Sequence, residues 1–289
     1  MKNVKLIVTG AVCTIIGISA GMGAMYGIQK KKIDFANDNS LLMEVQDILR
    51  ENDKSLPDGA DKEKAAAKGY LTQFDKFTYY VDKSDGQEEE EEPLKDIEAE
   101  IVNGNKLYIK INGFLNTTNI NYVNNVAPLV GKADGIIIDL RNNGGGVVAA
   151  ENEISENFLK EGSVRFVYDN GEEENKRMID NGNEISLPVV ILVNGNTASA
   201  AEVMTALFMQ YYDNVTVVGT QTYGTGVFQD IKSLSNGDEI RFTNGHYTVG
   251  DWESYNEVGI TPDIILEMDD SLIGTFSDSQ LKKALEILG

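Results

Sequence analysis

The chain has 289 residues, room for one large domain or two small ones around a real core, and a formal charge of −21. The five lysines of residues 1–32 leave the rest more acidic still, which excludes binding of nucleic acid or an anionic membrane surface through bulk electrostatics. Its single cysteine, Cys13, excludes a disulfide framework and leaves the rest of the chain without a thiol nucleophile or a Cys-based metal site.

The first element is LIVTGAVCTIIGISAGMGAMYGI (6–28), uncharged throughout and long enough to cross roughly 30 Å of hydrocarbon. It exceeds the apolar region of a signal peptide and no clean small-residue cleavage box follows, so an uncleaved signal-anchor is expected. The cationic flanks balance, and a short N-terminal tail ahead of one span places the soluble body outside the cytoplasm. Gly17/Gly21 and Gly23/Gly27 have the spacing of a dimerising helix, so a homo-oligomer is possible from sequence.

Residues 33–82 read as a helical segment, with SLLMEVQDILREN and ADKEKAAAKGYLTQF as its helices. Residues 83–102, with the run Glu88–Glu92 and Pro93, read as an acidic linker. From 103 to 289 the pattern becomes alternating strands and helices, predicting an α/β domain with a largely parallel sheet. GIIIDLR (135–141) and PVVILVN (188–194) are short continuous apolar runs, typical of strands buried on both faces. Each ends in a small-residue loop that opens a helix, and ligands in open α/β sheets sit at such carboxyl ends. Two further strands are expected around the turn SNGD, and the helix DSQLKKALEIL closes the chain.

The loop after the second apolar run contains Ser199, followed three residues later by Glu202 and then an apolar run, which fits a capping box. A serine at a helix start also sits beside unpaired N–H groups and the positive end of the dipole, where an oxyanion could be held. The glycines 144–146 let backbone amides approach a ligand closely, either as an oxyanion site or merely as a tight turn. Asp139 and Arg141 are expected to tie their strand end to neighbouring loops, and Trp252 with Tyr255 to pack a hairpin or a shallow groove.

GIIIDLRNNGGG, PVVILVNGNTASAAEV, VVGTQTYGTGVFQ and VGITPDI together resemble, in order and spacing, the C-terminal-processing or tail-specific serine peptidases. The resemblance implies a crotonase/ClpP-like core of repeated ββα units, a polypeptide substrate or peptide ligand, and no metal or cofactor. By position it implies Ser199 as nucleophile, the amides of Ala200 and of Gly146 or Gly145 as oxyanion hole, and Gln229 as the residue that orients a lysine base. The base position itself holds Thr225. Threonine has no group that titrates near neutrality, and losing the base costs on the order of 10⁴–10⁶ in rate. His246, the only histidine, is a surrogate candidate. A two-residue turn on Asn236–Gly237 would set it opposite Val227, on the Thr225 side of the sheet. The PDZ module common in this family has no room, since only Lys83–Val102 lie in its place.

Overall fold

The computed structural model describes Val45, Ile48 and residues 62–83, 95–168, 171–178, 185–250 and 255–289. The expected anchor, the Glu88–Glu92 run and Trp252 lie outside the described residues, as does the helix at 40–52 apart from the helical Val45 and Ile48. Among the described residues no helix is long and apolar enough to cross a membrane. The chain forms two compact units, residues 1–66 and 67–289. The division falls inside helix α1 (Lys62–Leu71), so the end of the expected helical segment belongs with the α/β unit.

In that unit the chain runs through β1 (Tyr79–Val81), β2 (Ile97–Val102) and β3 (Lys106–Ile111), then a helical stretch made of α2 (Thr118–Asn121), a π-helical turn (Tyr122–Val126) and α3 (Ala127–Val130). Pro128 has no N–H to offer the carbonyl four residues back, and the widened turn lies just before it. β4 (Gly135–Asp139), α4 (Val148–Ser155), β5 (Ser163–Tyr168), β6 (Glu173–Met178) and β7 (Val189–Val193) follow. The last part comprises α5 (Ala200–Tyr211), β8 (Val215–Gly219), β9 (Val227–Ser233), β10 (Glu239–Val249), β11 (Ile264–Ile265) and α6 (Ser279–Leu288).

The central sheet has the order β11-β8-β7-β4-β3-β2, parallel except for the β2–β3 hairpin at its edge. The expected linker 83–102 therefore ends in a strand. Ile97 of that strand is buried and opposite Ile111, and its alternation of apolar and acidic residues suits an edge that is half solvated. Every residue of β4 and β7 is buried, and each strand divides its side chains between two faces. Ile136, Ile138, Val189, Ile191 and Val193 join the large core that includes α4 and α5. Ile137, Val190 and Leu192 pack with Ala284 of α6 on the other face.

A second, antiparallel sheet was not legible as such in the sequence. Its order is β1-β10-β5-β6, with β9 also on β10. β10 begins one register step away from the two-residue turn expected on Asn236–Gly237, pairing Glu239 with Ser233. A β-bulge between Thr243 and Gly245 then restores the step, so His246 does fall opposite Val227. β1 pairs Tyr79 with Arg241, which brings the turn before β1 beside the carboxyl ends of the central strands.

Candidate active site

β4 and β7 are parallel neighbours, so their two small-residue loops leave the sheet side by side. Polar side chains lock the loops together. Thr197 donates its hydroxyl to the Leu140 carbonyl at 2.8 Å, and the Ala198 N–H donates to the Asn143 carbonyl at 2.9 Å. Asn194 accepts from the Asn142 N–H at 2.9 Å and donates to the Asn142 side chain at 2.8 Å. The glycines are required here. A Cβ on Gly145 would lie 2.7 Å from Cβ of Ser199, and one on Gly146 only 2.2 Å from the Phe114 carbonyl oxygen.

Ser199 has φ 55° and ψ −122° at the start of α5, an uncommon backbone for a residue with a side chain and a strain of roughly 1–3 kcal/mol. The capping box forms: Glu202 accepts from the Ser199 N–H at 3.0 Å. The Glu202 N–H donates to the Ser199 carbonyl at 2.8 Å. The Ala200 N–H has no acceptor among the described residues, as the first turn of a helix dictates, and neither has the Gly146 N–H. Gly145 donates instead to the Asn143 side chain at 2.8 Å. Of the two glycines, Gly146 is thus the one with an amide left for an oxyanion.

Glu202 does more than cap. It is fully buried and accepts four donors: the Ser199 and Thr225 amides on one oxygen, and the Thr222 hydroxyl and Gly224 amide on the other. Burial pushes its carboxyl above the ordinary value against the pull of those donors. With both oxygens occupied, this carboxylate holds the Thr225 loop against the Ser199 helix and has no capacity left to take the serine proton. The S-x-x-E spacing was the signal for it, read in sequence only as a cap. The Asn143 role had no local signal, because its carbonyl and amide partners come from two other segments.

Ser199, Thr225, Gln229 and the glycines 144–146 line one cleft of about 650 Å³ with Lys76, Phe77, Tyr223 and Tyr247. Gln229 donates its side-chain amide to the Phe77 carbonyl, which anchors the turn before β1, and at Thr225 there is no amine for it to orient. His246 is a correction to the sequence reading. Although its register is as expected, it lines a separate depression of about 370 Å³ with Asp75, Asn256 and Glu257, while the next residue, Tyr247, faces the cleft. Tyr255 is buried and lines neither the cleft nor that depression. Arg141 ties the β4 end down through Asp139, as expected, and extends to Asp278 at the start of α6.

A strained serine at a helix start, sharing a cleft with one spare loop amide and followed by another at the carboxyl ends of a parallel sheet, defines an α/β protein with a serine-hydrolase type of site. Residues 105–266 match the family model described as Peptidase family S41, and the chain belongs to that family. It is 31% identical over 181 residues to the "Carboxy-terminal processing protease CtpA" of Bacillus subtilis, covering 62% of this chain and 38% of that one. A "Carboxyl-terminal-processing protease" of Synechocystis is 33% identical over 160 residues, covering 54% and 37%. The chain thus matches well under half the length of these relatives. In fold it resembles the solved photosystem II D1 C-terminal processing protease, with TM-score 0.52, 24% identity and coverage of 60% and 48%. A lipoprotein from Streptococcus agalactiae matches at TM-score 0.62, 18% identity and coverage of 80% and 83%.

Proposed function

We propose that the chain is a membrane-anchored, outward-facing peptidase homologue whose chemistry is acyl transfer to Ser199 from a polypeptide, at a rate limited by the missing base. The observation that carries this is that Ser199 shares its cleft with Gly146, whose amide is spare, and directly precedes the spare amide of Ala200. The order of the parallel strands supports a crotonase-like core, and the uncharged run 6–28 supports the anchor. The serine must lose its proton as it attacks, and the cleft offers a threonine where a desolvated amine would do this. The same observation favours a second reading, a pseudo-peptidase that binds peptides without cutting them.

Cleavage of casein and of fluorogenic peptides by the full chain separates the two, beside Ser199→Ala and Thr225→Lys. The expected result is residual Ser199-dependent turnover, with a gain of about 10²–10⁴-fold in Thr225→Lys. A chain that shows no Ser199-dependent cleavage and no gain, and that a fluorophosphonate fails to label, is a binding protein.

A further inference from the structure

The sequence holds 46 acidic residues against 25 basic ones. The cleft around Ser199 inverts that balance, because its charged lining residues among those described are Lys76 and Arg241, with no Asp or Glu. Neither cation has an ion-pair partner among the described residues. Arg241 stands on β10 opposite Tyr79, and its Nε is buried without a hydrogen-bond acceptor. The guanidinium lines the cleft with no carboxylate of its own among the described residues, and a carboxylate entering the cleft would find in it a charge-assisted partner. Lys76 reaches the cleft from the turn before β1, with Nζ 4.5 Å from the Tyr223 ring centroid and 4.8 Å from that of Phe77. The rings hold the ammonium at the wall by attraction to their faces and leave its N–H groups available to a ligand. The same lining includes exposed Tyr79 and Ile231, which suits a peptide with apolar residues near its carboxylates.

We propose that the cleft selects a carboxylate-bearing peptide, with Lys76 and Arg241 as its specificity-determining residues. This rests on the reading of the Ser199 cleft as a polypeptide site. It does not require that the peptide be cut. In an otherwise strongly anionic protein, two unpaired cations in one cleft also concentrate the attraction for acidic ligands there, where low-dielectric walls screen it least. The carboxylate can come from Asp or Glu side chains or from a free C-terminus.

The test is binding of fluorescein-labelled decapeptides to the full chain carrying Ser199→Ala, read by anisotropy. A peptide alternating Glu with apolar residues is compared with its Gln and Lys analogues, each with a free and an amidated C-terminus. The Glu peptide is expected to bind about tenfold more tightly than the Gln analogue, with the difference shrinking in high salt. A fall in the affinity of both the Glu and the Gln peptide on amidation assigns the C-terminal carboxylate, and a Glu-over-Gln difference that persists in the amidated forms assigns the side chains. Exposed Lys76→Gln should weaken the Glu peptide about two- to fivefold, and Arg241→Gln should do so more, with Arg241→Lys, which keeps the charge but loses the planar fork of donors, falling between wild type and Arg241→Gln. Equal binding of the Glu and Gln peptides with no loss on amidation, a preference for the Lys peptide, no binding at all, or a carboxylate preference unchanged in Lys76→Gln would each overturn the proposal. If the catalytic reading alone fails, cleavage stays absent in Thr225→Lys while the acidic preference remains.

Discussion

Glu202 shows how one residue can serve two structural demands at the site. Its carboxylate has two oxygens, each taking two donors, and a carboxamide would offer one acceptor oxygen and turn an N–H₂ toward two of them. Glu202→Gln should therefore lower stability by about 2–4 kcal/mol in urea unfolding and slow fluorophosphonate labelling of Ser199, since the helix start and the Thr225 loop lose a common anchor. Gly146→Ala acts on the same site differently. A Cβ within 2.2 Å of the Phe114 oxygen, at φ 131°, forces the loop to move, so labelling should fall together with about 2–3 kcal/mol of stability. Ser199 and the glycines 145 and 146 stood out in sequence because each lies in a small-residue loop that opens a helix, whereas Ala200 and Thr225 were marked only by the resemblance to the peptidase family. Lys76, Arg241 and Tyr247 had no such mark, because only the pairing of β1 and β9 with β10 brings them to the cleft.

At the scale of elements, β10 is the strand on which sequence reasoning was right by two cancelling departures. The hairpin starts one step out of register, and the extra residue between Thr243 and Gly245 returns it. Strand periodicity reveals which residues alternate but carries no mark of a bulge, so the register was open while the burial was not. The bulge matters because it sets Tyr247 inward, with ring centroids 4.9 Å from Phe166 and 5.4 Å from Phe228. Gly245 makes the turn possible, as a Cβ there would lie 2.2 Å from the Val167 carbonyl oxygen and 2.6 Å from the Phe228 ring. Gly245→Ala should cost about 2–3 kcal/mol in a urea titration and disturb the near-ultraviolet signal of the aromatic group, while Asn244→Ala, which keeps the residue count, should cost under about 1 kcal/mol.

Across the whole molecule, two electrostatic effects of opposite sign set the response to pH. Buried Arg141 bonds Asp139 at 2.6 Å and Asp278 at 2.9 Å, joining the end of β4 to the start of α6. Burial disfavours the charged form of both carboxyls, but Arg141, aided at Asp139 by Lys110 and Tyr108, outweighs it and holds both below their ordinary value. Asp96 is likewise held low, by Asn121, Thr117, Thr118 and the Ile97 amide against its burial. Groups depressed in the folded state contribute stability that is complete above the unfolded value of about 3.9 and is lost as pH falls through their folded values. Acting against this, the charge of −21 repels itself at neutral pH, and that repulsion eases as exposed carboxylates protonate. Stability measured in urea should therefore rise from pH 8 toward about pH 5 and fall below about pH 4, and added salt should raise it at pH 8 more than at pH 5. Arg141→Met should cost about 3–5 kcal/mol at pH 7, because it strands two buried carboxylates, and should flatten the fall below pH 4, because those groups would then already favour their neutral forms. A variant that keeps the full acid-side slope would place that slope in the Asp96 cluster and show that the link between β4 and α6 contributes little to it.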